Sequence, residues 1–533
     1  MHPYSFQNIR ETIGWASLKR LYMDAYTKLA ENWGVTVDQA NEEAFEEILS
    51  GMENAFETIT DKAQPEFELL HGSPDQYGGR EEYWEPSDNS DSHNAWLHRC
   101  SISGSPDGRL SDLKAGIKDN IAVAGLPCSA GSTVLSFTPE IDATAVGRLL
   151  NAGSTVLGKQ NMDAFAMGDA GEIQDFGPTW NPHDPSRLAG GSSSGSAAAV
   201  AAGDCDISLG TDQAGSVRNP AAWCGIVGCK PTYGLVPYTG VFGMDFGIDH
   251  VGVLTRDVRT NARVLEVIAG EDRQNGCRLD PRQPYHCEAQ SYTESLNKEV
   301  TDLTVGVLSE GFDWSAADPA VETVVRDQLD TLESDGVTLK TVSAPTHEIA
   351  VAIIGIVGAL GAQNTYHRGG VGTTSPGWHW KAGEEAFKQG MQNRGDELSP
   401  AVIASLLFAE RCRLKDIDSI YAQAKNIALT LDKEYQSCLD ECDVLAMPTV
   451  PFTALSPAED TVTSVSRLAK IPVNTAGCNQ TGHPALSVPC GTVDELPVGL
   501  QLIGSKFDVE TLYRVGQALE VRTSITNKNN SGS

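Results

Sequence analysis

Apolar side chains recur at helical spacing from Leu18 through Leu21, Tyr22, Ala25 and Leu29, and again at Phe45, Ile48, Leu49, Met52 and Phe56. Glu42, Glu43, Glu46, Glu47 and Glu53 flank the second stripe, and T-V-D-Q from Thr36 to Gln39 has the form of a capping box. The pattern predicts a small α-helical domain over 1–72. Two amphipathic helices alone cannot bury both apolar faces, so they must pack on the main body or on another subunit. Residues 73–98 show no apolar period and are rich in Gly, Pro, Ser, Asp and Asn, which predicts a linker or surface loop.

From residue 99 onward, short apolar runs alternate with helical patterns. LSDLKAGIKDN predicts a strand ending near Lys118, ATAVGRLLNAG a helix stopped at Gly153, and STVLGKQN the next strand. SAAAVAAG (196–203) predicts a short buried helix of tiny residues, and CDISLGTD a further strand. LTVGVLSEG, CDVLAMPTVP and PVGLQLIG read as strands, and VETVVRDQLDTLES and DVETLYRVGQALEV as helices. This alternation implies an α/β fold, with a large central mixed β-sheet flanked by helices over 99–525. The tail 526–533 is expected to be disordered.

Composition narrows the classes. Hydrophobic residues make up 40% of the 533 positions and charged residues 21%, the proportions of a chain with a sizeable core. The net charge of −32 repels phosphate backbones and anionic bilayers, so neither nucleic acid nor membrane is an expected partner. The N-terminus lacks an apolar signal core, and no run of ~18 apolar residues stands out as a spanning helix, so a cytoplasmic location is expected. The twelve cysteines include no CxxC pair and read as buried thiols rather than zinc ligands.

The segment AGGSSSGSAAAVAAGDCDISLGTDQAGSVRNPAAWCG, residues 189–225, places two Gly/Ser-rich loops beside regular elements. Such loops let backbone N–H groups converge on one point. A phosphate loop fits poorly, because neither G-x-x-x-x-G-K-[ST] nor G-x-G-x-x-G is present. A flexible linker fits poorly, because apolar runs interrupt the segment. A serine nucleophile beside an oxyanion-binding turn remains open on the residues alone.

This segment resembles the core of the amidase signature family. Four further blocks are similar to that family: K-D-N-I-A-V-A-G-L-P at 118–127, G-S-V-R-N-P-A-A-W-C-G-I-V-G-C-K-P-T-Y-G-L-V-P at 215–237, D-H-V-G-V-L-T-R at 249–256 and N-T-A-G-C-N-Q-T-G-H-P-A-L-S-V-P at 474–489. The N-terminal extension and the Asp-Gln pair resemble the larger bacterial nitrile-pathway amidases within it. The resemblance implies Ser216 as the acyl-forming nucleophile, Ser192 as the bridging serine on a cis peptide, and Lys118 as the base. It also implies the N–H groups of Gln213, Ala214, Gly215 and Ser216 as the oxyanion hole. The implied reaction is hydrolysis of a small carboxylic amide to carboxylate and ammonia by a homodimer, through an acyl-enzyme and without metal or other cofactor. The alternative is the glutaminase-type component of a tRNA-dependent amidotransferase, which shares the same core.

Ser194 and Ala214 stand where the family often has Gly. A left-handed backbone at either would cost about 1 kcal/mol or more. Asp212 and Arg218 are expected to brace the nucleophile loop, and His250 and His483 to be structural. Ser193 is expected to bond within its loop. Trp378 and Trp380 are candidates for a pocket wall or for surface packing, and Gln213 for a side chain that reaches the pocket. Lys114, four residues before Lys118, is expected to be dispensable.

Overall fold

In the computed structural model the chain divides into two units, Met1–Phe67 and Glu68–Ser533. The structure describes residue 59 and residues 76–530, apart from 88, 275–276, 335 and 368–376. The two expected N-terminal helices lie outside the described residues.

Eleven strands form one mixed sheet: β1 Trp96–Ser103, β2 Lys114–Lys118, β3 Thr155–Gln160, β4 Ile207–Asp212, β5 Val227–Lys230, β6 His250–Thr255, β7 Thr304–Leu308, β8 Thr338–Val342, β9 Val444–Pro448, β10 Ala485–Val493 and β11 Leu496–Gly504. Their order across the sheet is β1-β3-β2-β4-β6-β5-β10-β11-β9-β7-β8. β2 is parallel to both β3 and β4, whereas β6 is antiparallel to both β4 and β5. β4, β5, β6, β9 and β11 are buried along their whole length, because helices cover both faces of the sheet there.

The principal helices are α1 Thr144–Asn151, α2 Ser194–Ala202, α3 Arg218–Trp223, α4 Val258–Ile268, α5 Pro319–Ser334, α6 Ala350–His367, α7 Pro400–Leu414, α8 Ile420–Leu439 and α9 Val509–Asn530. α1 carries β2 across to β3, and the chain turns out of it at Gly153 with φ +98°. A Cβ there would lie 2.6 Å from Ser105 O, so only glycine fits. In α2 every side chain from Ser194 to Val200 is buried, and a Cβ at Gly195 would meet Ala95 O at 2.2 Å. The helix is made of tiny residues because backbone passes directly against it.

Three features depart from the sequence reading. The stretch 76–98, expected to be a linker or surface loop, holds a buried ionic anchor and ends within β1, which begins at Trp96. Arg80 is buried and donates to both oxygens of Asp142, at 2.9 and 2.7 Å, and Trp84 pairs with Arg99 of β1. An ionic anchor leaves no apolar period for the sequence to reveal. α9 continues through Asn530, most of the way along the expected disordered tail, because no Gly or Pro occurs between 517 and 530 to stop it. Residues Pro345–Tyr366, which include most of α6, form a helix long and apolar enough by length and composition to cross a membrane. Here it packs against α7 and α8 and buries Ile353, Ile354, Val357 and Leu360.

Candidate active site

The site lies where β2, β4 and the loop before α2 converge. The backbone leaves β4 at Asp212 and enters α3 at Arg218, so Gln213–Val217 form a short turn at a strand end. Asp212 organises this turn. Its Oδ1 accepts from Gly215 N at 2.8 Å and its Oδ2 from Val217 N at 3.2 Å. The Arg218 guanidinium pairs with the same carboxylate, with Nη2 2.9 Å from Oδ1 and Nε 3.0 Å from Oδ2, and both side chains are fully buried. Arg218 also reaches Thr475 O, Gln501 Oε1 and Asn479 Oδ1, at 3.0, 2.7 and 2.7 Å. This explains why the N-T-A-G-C-N-Q block sits in the site despite its distance in sequence. Burial pushes the Asp212 carboxyl up, but Arg218 more than offsets this and holds it well below the usual range. Asp212 and Arg218 therefore brace the loop, as expected.

Lys118 ends β2 and is completely buried. Its Nζ donates to Ser192 Oγ at 2.8 Å, Thr211 Oγ1 at 2.8 Å and Thr211 O at 3.2 Å. It thus meets hydroxyl and carbonyl oxygens and, among the described residues, no carboxylate at bonding distance. Burial is the largest influence on its amine. Asp163, Asp212, Asp169 and Asp249 pull the other way, and the net result is a pKa lowered to about 7.

Ser192 follows a cis Gly191–Ser192 peptide, as the resemblance implied. Ser193 N donates to Ser216 O at 3.1 Å and Ser193 Oγ to Thr211 O at 3.2 Å, so the two serine-bearing loops are tied through the backbone. Ser216 is 2% exposed, and its hydroxyl makes no hydrogen bond among the described residues. The structure therefore joins Lys118 to Ser192 directly and brings Ser216 alongside, without a hydroxyl-to-hydroxyl bond between the two serines.

The four expected oxyanion donors differ. Gly215 N–H is committed to Asp212, which removes it from the set. The N–H groups of Gln213, Ala214 and Ser216 have no acceptor among the described residues. Gly215 has φ +135°, and a Cβ there would fall 2.2 Å from Thr475 Oγ1. Its glycine is required for the turn rather than for a donor. Neither Ser194 nor Ala214 has a positive φ, so the departures from glycine at these positions carry no backbone strain.

The sequence reading missed two carboxyls and a hydroxyl. Asp163 takes N–H groups from Ile173 at 2.7 Å and Gly171 at 3.1 Å, and its own N–H donates to Ser192 O at 3.1 Å. A Cβ on Gly191 would stand 2.0 Å from its Oδ2, so this carboxyl lies directly against the Gly191–Ser192 peptide. Burial raises Asp163 to about 6 and Asp169 well above its usual range. Two aspartates inside the otherwise apolar N-M-D-A-F-A-M-G-D were the available signal. Thr211 was hidden as one more residue of a buried strand.

His250 Nδ1 lies 2.7 Å from Ile248 O, and His483 Nδ1 lies 2.9 Å from Thr481 Oγ1. Neither ring touches Lys118, Ser192 or Ser216. Trp378 and Trp380 line a cleft with Tyr238, Phe242, Leu279 and Arg282, and Gln213 Nε2 donates to Tyr238 Oη at 3.1 Å. Lys114 is exposed at the far end of β2. Of the twelve cysteines, all free, only Cys277 is exposed.

The chain matches the amidase family over residues 88–512. It is 37% identical over 438 residues to the A-subunit of the glutamyl-tRNA(Gln) amidotransferase of Natronomonas pharaonis, a match covering 80% of this chain and 100% of that protein. The crystal structure of the corresponding glutamyl-tRNA(Gln) amidotransferase A-subunit from Thermotoga maritima superposes with a TM-score of 0.63 at 30% identity, covering 78% of this chain and 83% of that one. Native peptide amidase from Stenotrophomonas maltophilia superposes with a TM-score of 0.62 at 28% identity, covering 78% and 84%.

These relatives overturn two expectations. A free-standing hydrolase of small amides, akin to the nitrile-pathway enzymes, is contradicted by relatives that are amidotransferase subunits, the alternative weighed above. The expected homodimer that meets only a small amide, with no nucleic acid, is contradicted by the same relatives, each one subunit of an enzyme named for a tRNA. Both errors have one cause. The catalytic blocks are shared across the family, so the choice of branch rested on the N-terminal extension and on net charge, neither of which touches the site.

Proposed function

The chain belongs to the amidase family, and from that premise we propose that it is the glutamine-hydrolysing component of an enzyme that amidates glutamyl-tRNA(Gln) in the cytoplasm. The observation that carries this reading is the identity to the Natronomonas protein over that protein's entire length. The net charge of −32 fits a division of labour in which other subunits hold the tRNA and this one supplies ammonia.

In this mechanism neutral Lys118 accepts the Ser192 proton while Ser192 accepts the proton of Ser216. Rotation of the free Ser216 hydroxyl toward Ser192, when substrate fills the site, closes the relay. Ser216 Oγ attacks the side-chain carboxamide of glutamine. The free N–H groups of Gln213, Ala214 and Ser216 receive the oxyanion, and a donor of this kind contributes about 3–4 kcal/mol. Lys118, now an ammonium, returns its proton through Ser192 to the departing nitrogen, and ammonia leaves. Water then attacks the glutamyl ester by the same relay in reverse, releasing glutamate. Burial of Lys118 is what makes this possible, because an exposed amine would stay protonated at neutral pH.

The test is to offer glutamine, propionamide and benzamide to the purified chain, alone and with its companion subunits and charged tRNA. The expected result is glutamine turnover that rises with the complete assembly and yields glutaminyl-tRNA. Turnover of propionamide or benzamide, with glutamine untouched in both settings, overturns it.

A further inference from the structure

Gln213 is the first residue of the nucleophile turn and is 2% exposed. Its backbone N–H is one of the three uncommitted donors, and the other supports of the turn act elsewhere. Asp212 holds Gly215 and Val217, and Thr475 Oγ1 donates to Ala214 O at 2.6 Å. Asn479 Nδ2 donates to Asp212 O at 2.8 Å and so holds the carbonyl half of the 212–213 peptide. The Gln213 side chain is anchored on the opposite side by Tyr238. Its Nε2 donates to Tyr238 Oη at 3.1 Å. Gln213 Oε1 finds no donor among the described residues. The amide is therefore held through its nitrogen alone, on a phenol.

We propose that Tyr238 is a positioning residue that clamps the Gln213 side chain and so aims the Gln213 backbone N–H at the developing oxyanion. An N–H donor works in proportion to its prior alignment, since a donor free to swing must be ordered during the reaction. Asn479 fixes one end of the 212–213 peptide and the clamp fixes the Cα at the other, so the peptide cannot rotate between them. Tyr238 also forms part of the wall of the cleft with Phe242 and Trp380. The inference rests on the relay and oxyanion turn proposed above.

The experiment is a mutant cycle on the complete enzyme, scored by kcat and KM for glutamine and by end-point labelling of Ser216 with a fluorophosphonate. Gln213→Ala is expected to lower kcat by about 30–100-fold and Tyr238→Phe by about 10-fold, less than outright loss of an oxyanion donor. KM should stay within about twofold, as expected for an interaction made only in the transition state. The decisive reading is non-additivity: in the Gln213→Ala background, Tyr238→Phe should cause no further loss. Losses that multiply, or an unchanged kcat in both Gln213→Ala and Tyr238→Phe, overturn the clamp while Ser216 still labels to completion. Failure of the relay reads differently, as turnover that survives Ser216→Ala.

Discussion

Lys118 and Lys159 lie on adjacent parallel strands, β2 and β3, where Lys118 pairs in register with Gln160 and Lys159 with Ile117. Both are completely buried. Their surroundings are opposite in kind. Lys159 Nζ stands 3.1 Å from the Asp119 carboxylate and donates to Asp119 O at 2.9 Å. Burial pushes the Asp119 carboxyl up, but Lys159 and the bonds from Ser129 outweigh it and hold it below its usual range. That lysine is paired with Asp119 and staples K-D-N to β3. Lys118 has hydroxyls where Lys159 has a carboxylate, and among the described residues it has no bonded counter-ion. One burial therefore produces a structural ion pair and the other an amine whose pKa is lowered to about 7, as the proposed base requires, and the difference is the partner rather than the depth.

The comparison can be broken by exchanging outcomes. The largest effect expected is at the nucleophile that the base serves. Ser216→Ala should lower glutamine turnover by more than about 10⁴-fold with an unchanged thermal midpoint. Residual activity near the wild-type level would remove any need for a base at 118.

Next come the two lysines themselves. Lys118→Met should reduce kcat by about 10³-fold or more and leave the thermal midpoint equal or higher, because it deletes a buried amine with no ionic partner. Lys159→Met should do the reverse, leaving Asp119 buried and unpaired at a cost of about 3–5 kcal/mol, visible as a fall in denaturation midpoint. If the two variants behave alike, the distinction between base and staple fails.

A pH series sharpens the same contrast. The base must be neutral, so kcat/KM should rise with pH through a midpoint near the Lys118 value of about 7. Stability should carry the same signature. A lysine whose folded pKa is lowered binds fewer protons when folded than when unfolded between about 7 and 10.5, so stability rises with pH across that window. Lys118→Met should flatten that rise, and denaturant midpoints at several pH values between about 7 and 10 measure it. The smallest effect expected is at Lys114, exposed at the other end of β2, where Lys114→Ala should change kcat by less than about twofold and stability by less than about 0.5 kcal/mol.

Local pattern carried far in this protein. The β2, α1, β3, α2 and β4 segments all stand close to where hydrophobic spacing and glycine placement put them. The bracing of the turn by Asp212 and Arg218 also followed from the sequence, since a carboxylate and a guanidinium six residues apart flank a loop that needs holding. The oxyanion set was legible only in part. Nothing in D-Q-A-G-S shows that Asp212 folds back onto Gly215 N, because that depends on the rotamer the turn imposes. The branch of the family was misread because the blocks that identify it are those its branches share.

What the chain determined by itself was its alternation of strands and helices and the ordered blocks that identify its catalytic core, because both depend on neighbours a few residues apart. Which buried lysine meets a carboxylate and which meets hydroxyls, which backbone N–H is free, and that Asp163 lies against Ser192 were decided only when β2, β3, β4 and the two loops came together. Charge state and donor availability depend on what stands within about 3 Å of an atom, and here those neighbours lie tens to hundreds of residues away along the chain.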